Sequence, residues 1–407
     1  MKTISEAVDA VLAEVRALPE EEVSLLAALG RTAARDLLSS EAVPGFANSA
    51  MDGYGVRTAD AIAGRELQIV AEIPAGEWVD RRVGAGEAVK IMTGAPLPPD
   101  CNAVVPVEQT EEHHGRVLIT AGVEAGANVR LAGEDIRPGD LLVAQGSVLR
   151  PAHLGQLAAV GIGAVPVRRR PRVAILATGS ELQPVESQLK PGQIRDSNSY
   201  TAYGQVLEAG AEPLRLGVAH DDVEETRALL GRALQEDVVI TSGGVSVGEY
   251  DFVKRVQEEL GVEKRFWGVR CKPGKPLVFG VRGRTLVFGV PGNPVAAMVT
   301  FEVYVRPALL ALAGRTDLWR PCVRASADEP VPRSKERAEL RRCRLRRRDG
   351  EWHFSTTGPQ GSGILSSMAA ADGLAFVPSG YAGGDSGVTL DVMLLDGSSR
   401  ERPRFPE

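Results

Sequence analysis

Cysteine is scarce. The four thiols in 407 residues, Cys101, Cys271, Cys322 and Cys343, never fall at C-x-x-C spacing, which argues against a zinc site or a thioredoxin-like redox motif. Scattered reduced thiols fit a cytoplasmic protein. No apolar run reads as long enough to span a bilayer, so no membrane association is expected. Met1 to Val15 lacks the basic start and continuous apolar block of a signal peptide. Lysine is also rare: eight residues against 39 arginines. A net charge of -6 argues against nonspecific binding to nucleic acid. Neither a Gly-Lys-Ser/Thr phosphate loop nor a dinucleotide fingerprint is present, and no tandem repeat is evident.

What is present is an ordinary globular composition, 43% hydrophobic and 25% charged, in a chain long enough for two to four domains. Thr3 and Glu6 have capping-box spacing before Val8, Val11, Leu12 and Val15 at helical intervals. Residues 1–40 read as helices. Residues 66–150 carry short apolar alternations broken by Gly and Pro, the texture of a small β domain. Residues 151–165 read as helical again, with Pro151 suited to a first turn. After a basic connector, 168–172, strands alternate with helices: strands at 172–177, 213–218, 237–241 and 285–290, and helices at 200–210, 222–234, 252–260 and 294–312. Asp222 and Glu225 are spaced as a capping box. This pattern predicts a doubly wound α/β domain. Beyond it, 339–348 and 352–356 flank an Asp349-Gly350 hairpin turn. The fold class is therefore multidomain α+β. It comprises a helical linker domain (1–45 plus 140–170), a β-rich domain (46–139), a central doubly wound α/β domain (171–318) and a C-terminal β-barrel-like domain (319–407).

Ligands of open α/β sheets sit beyond the carboxyl ends of the strands, and three turn-rich segments lead there. The first is Thr178-Gly179-Ser180-Glu181, where Glu181 either lines a site or simply favours a helix dipole. The second runs from Thr241 to Asp251. Ser242, Gly243, Gly244 and Ser246 offer hydroxyls and close backbone N–H groups to an anion. Asp251 is either a helix cap or a carboxylate facing phosphate through Mg²⁺. The third is Lys272-Pro273-Gly274-Lys275-Pro276, two of the eight lysines aimed by one stiff turn. It is an exposed basic turn or a seat for a small oxyanion. Pro291-Gly292-Asn293-Pro294 ends a strand and opens a helix, with Pro294 at a first helical position. Asp52 and Asp135 lie in Gly-containing turns and read locally as turn residues. Asp221 is a turn residue or a cation ligand. The Arg341–Arg348 run, six arginines, is a solvated strand face or lends one side chain to an anion site.

Taken in order, Ser49-Ala-Met-Asp-Gly-Tyr54, Gly133-Glu-Asp-Ile136, Ala177-Thr-Gly-Ser-Glu-Leu182, Ser242-Gly-Gly-Val-Ser-Val-Gly248 with Asp251, Lys272-Pro-Gly-Lys-Pro276 and Pro291-Gly-Asn-Pro294 resemble the molybdopterin molybdenumtransferases, the MoeA family that includes the gephyrin E domain. The resemblance covers nearly the whole chain. It implies an elongated four-domain fold whose α/β domain is of the molybdopterin-binding type. It also implies a homodimer with its cleft between the α/β domain of one subunit and parts of the other. The implied reaction inserts molybdate into adenylylated molybdopterin, releases AMP and requires Mg²⁺.

By the same resemblance the catalytic acids are Asp52, Asp135, Glu181, Asp221 and Asp251, with Glu181, Asp221 and Asp251 at the metal. Lys272 and Lys275 take the oxyanion. Thr178, Gly179, Ser242, Gly243, Gly244, Ser246, Pro291, Pro294, Arg342, Ser362 and Ser367 complete the substrate site. Two departures stand out. Gly268 occupies a position that is basic in some relatives, and Ala296 one that is Ser in many. Two other readings remain open. One is the adenylyltransferase of the preceding step, itself also a candidate partner beside the recipient molybdoenzymes. The other is a gephyrin-like scaffold.

Overall fold

The computed structural model describes residues 1–220, 222–244 and 252–407. Its centre is a six-stranded sheet in the spatial order Glu212–Ala219, Arg172–Thr178, Val238–Ser242, Thr285–Val290, Val278–Arg282, Glu263–Trp267. The first four strands are parallel, and Val278–Arg282 runs against both its neighbours. Alternation along Arg172–Thr178 explains the two covered faces. Val173 and Ile175 join a core with Val206 of helix Asn198–Glu208 and Val295 and Val299 of the helix that begins at Pro294. Ala174 and Leu176 face the other way, toward Ala233 and Leu230 of helix Val223–Ala233. Asp222 caps that helix by accepting from the Glu225 amide at 2.7 Å. Glu225 does not complete the expected capping box: it takes the His220 amide at 3.1 Å, two residues before the Asp222 amide that a capping box would bond.

The helical stretch 294–312 is continuous but not uniform: α-helix Pro294–Thr300, a π-turn Phe301–Val305, then α-helix Arg306–Leu312. Its mean hydropathy of 1.6 over 19 residues meets the length and composition of a membrane span, which corrects the expectation that no run is long enough. The protein itself supplies the apolar surroundings, because 89% of that window is buried.

The N-terminal reading needs correction. Only Ile4–Leu12 is helical in residues 1–19, and Thr3 and Glu6 do form the capping box. Its buried face (Ile4, Ala7, Val8, Val11) packs into the α/β core instead of a separate helical unit. Glu20–Ser24 is a strand paired with Ala164–Arg168, not a helix. Its glutamates favour helix locally, and a ladder partner 140 positions away overrides that weak preference. Residues Ala28, Leu37, Leu142, Leu149, Leu157 and Val165 form a small core around helix Pro151–Ala159. Residues 53–119 build a six-stranded sheet with an apolar core on each face.

At the C-terminus, Ala338–Arg348, Glu351–Thr356, Cys322–Ala327, Thr389–Leu394 and Gly373–Val377 close into a five-stranded barrel, the last strand pairing with the first. Asp349 and Gly350, both at positive φ, form the expected hairpin turn. One further strand, Cys271–Lys272, adds to the barrel edge beside Ala338–Glu339. That pairing brings the lysine loop to the C-terminal unit.

Candidate functional site

The carboxyl ends of three adjacent parallel strands converge through their glycines. Thr178 Oγ1 donates to the Ser242 carbonyl at 3.3 Å. Gly243, at φ +93°, lies so close that a Cβ there would sit 2.5 Å from the Thr178 carbonyl oxygen. Gly292 is next to it: its Cβ would lie 3.9 Å from Gly243 Cα. Gly244 is also at positive φ. Glycine permits these positive-φ turns. The Gly243 amide donates to the Val290 carbonyl at 3.3 Å, and the Gly244 amide, with no protein acceptor among the described residues, is the one left to face an anion. Glu181 is exposed, and its carboxylate folds back over Gly179, where a Cβ would meet it at 2.5 Å. Pro294 opens its helix at the first turn with Asn293 as N-cap.

The lysine loop lies along the same helix. Gly274 (φ +109°) packs against Thr300, one to two turns on from Pro294, or about 9 Å of helix rise. Lys272 Nζ donates to Glu339 Oε1 at 3.1 Å, and Glu339 Oε2 accepts from Arg341 Nε at 2.8 Å. Lys275 is exposed, with no polar side-chain partner among the described residues. The barrel supplies the opposite wall: the Val295 amide donates to the Ser362 carbonyl at 3.1 Å.

Arg342 is placed differently from the sequence expectation. It is 1% exposed. Its guanidinium donates to Ser367 Oγ (3.0 Å) and to the carbonyls of Pro359, Gln360 and Gly361. Burial pushes its pKa down. Four donors are thus committed to protein acceptors, so Arg342 and Ser367 fold the 359–367 loop that carries Ser362. Arg344, Arg346, Arg347 and Arg348 form the solvated face of the run.

Among the described residues, the bonds of Asp52 and Asp135 are to the N-terminal units and not to these loops. Asp52 Oδ1 accepts from the Thr93 amide and hydroxyl, both at 2.7 Å, and these bonds hold its carboxyl below the usual range. Asp135 is exposed, and its backbone amide donates to Val43. Thr93→Ala is expected to raise the Asp52 titration midpoint toward that of an ordinary aspartate, read by NMR. An unmoved midpoint would refute this. Because the folded value is the depressed one, Asp52's contribution to stability is present above the ordinary carboxylate pKa and is lost as pH falls through the folded value.

Asp221, Ser246 and Asp251 lie outside the described residues. Among the described residues no three Asp, Glu, His or Cys side chains gather as a metal site.

Two residues went unnoticed in the sequence. Asn198 bridges Ser242 and Gly292, and Arg195-Asp-Ser-Asn-Ser199, an Asx-rich helix start, was the available signal. Glu339, the partner of Lys272, carried no local signal. The two family departures also have a local setting. Gly268, at φ +82°, sits against the N-terminus: its carbonyl accepts from the Lys2 amide, and a Cβ would lie 3.0 Å from Met1 Cγ. Ala296 is 4% exposed in the helix that bears Pro294.

Three family descriptions match the chain: the MoeA N-terminal region (domain I and II) over residues 2–161, a probable molybdopterin binding domain over 174–311, and the MoeA C-terminal region (domain IV) over 324–395. A molybdopterin molybdenumtransferase of Bacillus subtilis is 34% identical over 385 residues, 92% of this chain and 90% of its own. Molybdopterin molybdenumtransferase 2 of Mycobacterium tuberculosis is 35% identical over 405 residues, 96% of this chain and 99% of its own. Two crystal structures of molybdopterin biosynthesis MoeA protein from Pyrococcus horikoshii superpose with TM-scores of 0.85 and 0.81, at 34% and 29% identity. Each covers 97% of this chain, and 99% and 100% of the solved chains respectively.

Proposed function

Because the chain belongs to the MoeA family, we propose that it is a molybdopterin molybdotransferase of molybdenum cofactor biosynthesis, inserting molybdate into adenylylated molybdopterin and releasing AMP. The observation that supports this most is the convergence of the Thr178–Gly179, Ser242–Gly244 and Pro291–Pro294 loops at one sheet edge, with the Lys272–Lys275 loop on the same helix.

The backbone amide of Gly244, with the hydroxyls of Thr178, Ser242 and Ser246, takes the phosphates of the pterin nucleotide, on a turn that Gly243 anchors through its bond to the Val290 carbonyl. Lys272 and Lys275, with Ser362 beside Pro294, take molybdate. Lys275, with no polar side-chain partner among the described residues, offers its charge directly, whereas Lys272 is paired with Glu339. Water cleaves the phosphoanhydride to AMP and the pterin phosphate. Molybdate exchanges one oxide for the two dithiolene sulfurs, and the oxide leaves as water with the two thiol protons. Positioning and charge neutralisation supply most of the acceleration.

The hard carboxylate oxygens of Glu181, Asp221 and Asp251 suit Mg²⁺. Exposed Glu181, beside the Gly179 backbone, fits such a role. When bound, the ion would neutralise charge on the phosphoanhydride. Asp52 and Asp135 enter the site from the second subunit of a homodimer. Exposed Leu26, Phe46, Leu131 and Leu141 on the N-terminal units are apolar surface for such an interface. The proposed setting is cytoplasmic. The adenylyltransferase acts upstream and molybdoenzymes receive the product, with no nucleic-acid or membrane partner.

The test uses purified protein with adenylylated molybdopterin and molybdate. AMP release and cofactor formation are expected together. Lys275→Ala should cut kcat/KM for molybdate by about 10- to 100-fold, the loss of one charged hydrogen bond. Adenylyl transfer from ATP to free molybdopterin, with no molybdate-dependent product, would refute the proposal in favour of the preceding step.

A further inference from the structure

We propose that Asn198 is a positioning residue for the phosphate cradle, one side-chain amide setting the spacing between the Ser242–Gly244 and Pro291–Pro294 loops. This rests on the reading of those loops given above. Asn198 is the first residue of helix Asn198–Glu208. Its Nδ2 donates to Ser242 Oγ at 2.7 Å and to the Gly292 carbonyl at 2.8 Å. An amide nitrogen carries two protons, so both are spent, one on each loop. The orientation is fixed by chemistry: flipping the amide would set its oxygen against the Gly292 carbonyl oxygen, two acceptors with no proton between them.

The base of this clip is itself held. Asp196, 3% exposed, accepts from the Ser199 amide at 3.0 Å and so fixes the first turn of the helix. Behind Asn198 the core side is apolar, with Ile175, Val290 and Phe301 lining a small cavity that Asn198 and Ser242 also face. Water therefore has little room to replace the amide. The strand ends are joined by the Ser242–Val290 pairing and the Gly243 amide bond to the Val290 carbonyl. Past that point Gly243 and Gly292 lie side by side with no side chains between them, and among the described residues it is the Asn198 side chain that bonds both loops. Its effect should fall on the phosphate end. The lysine loop is secured separately, by Thr300 packing and by the Glu339 pair.

Asn198→Asp has the same shape and no amide protons, and it places a carboxylate oxygen against the Gly292 carbonyl. Calorimetric titration of the full-length protein with AMP and, separately, with molybdate reads the two ends of the site. AMP affinity is expected to fall at least tenfold, about 1.4 kcal/mol, with kcat/KM for the pterin nucleotide following it. Molybdate affinity should stay within about twofold.

Asn198→Ala removes the clip without adding charge. It should show the same split more weakly, and it carries the test should the aspartate variant not fold. AMP affinity within twofold of wild type in a folded variant, or equal losses for AMP and molybdate, overturns the inference. Wild-type protein that binds no AMP overturns the cradle reading itself, and the inference with it.

Discussion

Gly243→Ala is expected to abolish cofactor synthesis while leaving the chain folded. The residue holds φ +93°, a conformation that costs an L side chain about 1–3 kcal/mol. Its added Cβ would lie 2.5 Å from the Thr178 carbonyl oxygen and 2.8 Å from Thr178 Oγ1. Neither neighbour can move freely. Thr178 ends a strand paired on both sides, and its hydroxyl is bonded to the Ser242 carbonyl. The strain must therefore be relieved by displacing the Gly243–Gly244 backbone, which loosens the Gly243 amide bond to the Val290 carbonyl and moves the Gly244 amide proposed to receive the phosphates. Loss of one preorganised donor to a developing oxyanion lowers turnover by about 10²–10³. AMP release from adenylylated molybdopterin measures this, with circular dichroism as the folding control. A folded variant within threefold of wild type would show that the Gly244 amide does not touch the reacting phosphates.

How much of this was legible before the structure varies with the range of the interaction. Val173–Ala177 reads as a strand buried on both faces because its apolar run needs no distant partner to declare itself. The same holds for the Thr3–Glu6 and Asp222 caps, the Asp349-Gly350 turn and Pro294 at its helix start, all set within four residues. The misreadings are long-range. Glu20–Ser24 becomes a strand because Ala164–Arg168 lies beside it. Lys272 is paired with Glu339, a residue 67 positions away. Local sequence does not distinguish Arg342 from the other five arginines of its run, and only the family resemblance singles it out. The strand dips into the barrel from Ala338 to Cys343 and emerges at Arg344, so a single run contains buried and solvated arginines with different work. The motif loops could be found from their glycines. Their mutual distance, and the side chain that fixes it, could not.

The docking of the barrel depends on a buried charge network, and breaking it should have the largest effect on stability. Glu302 and Arg320 are 5% and 4% exposed and pair at 2.9 Å. Gln205 Nε2 donates to the other Glu302 oxygen at 3.0 Å. Arg320 also reaches Glu208 at 2.6 Å. Beside it Arg306 donates to the carbonyls of Leu318 and Gly397 and to Ser398. Burial, reinforced by the nearby Arg320 charge, brings the Arg306 pKa down to about 10.

Glu302 is thus the buried anion among crowded cations. It stands in the π-turn of the helix that starts at Pro294. Glu302→Leu leaves Arg320 without its buried counter-ion and takes from Gln205 one of its two acceptors, the Met298 carbonyl remaining, and should cost about 3–5 kcal/mol in denaturant unfolding. The double variant Glu302→Leu/Arg320→Met removes both charges and should recover most of that loss, because a well-packed apolar pair of similar volume replaces a buried ion pair at little or no cost. The single variant should also lose activity. The barrel it loosens supplies the Ser362 carbonyl to Val295 and Glu339 to Lys272. A single variant destabilised by less than about 1 kcal/mol, the range of an exposed pair, would mean that water already reaches these charges and that the barrel is held in place without this network.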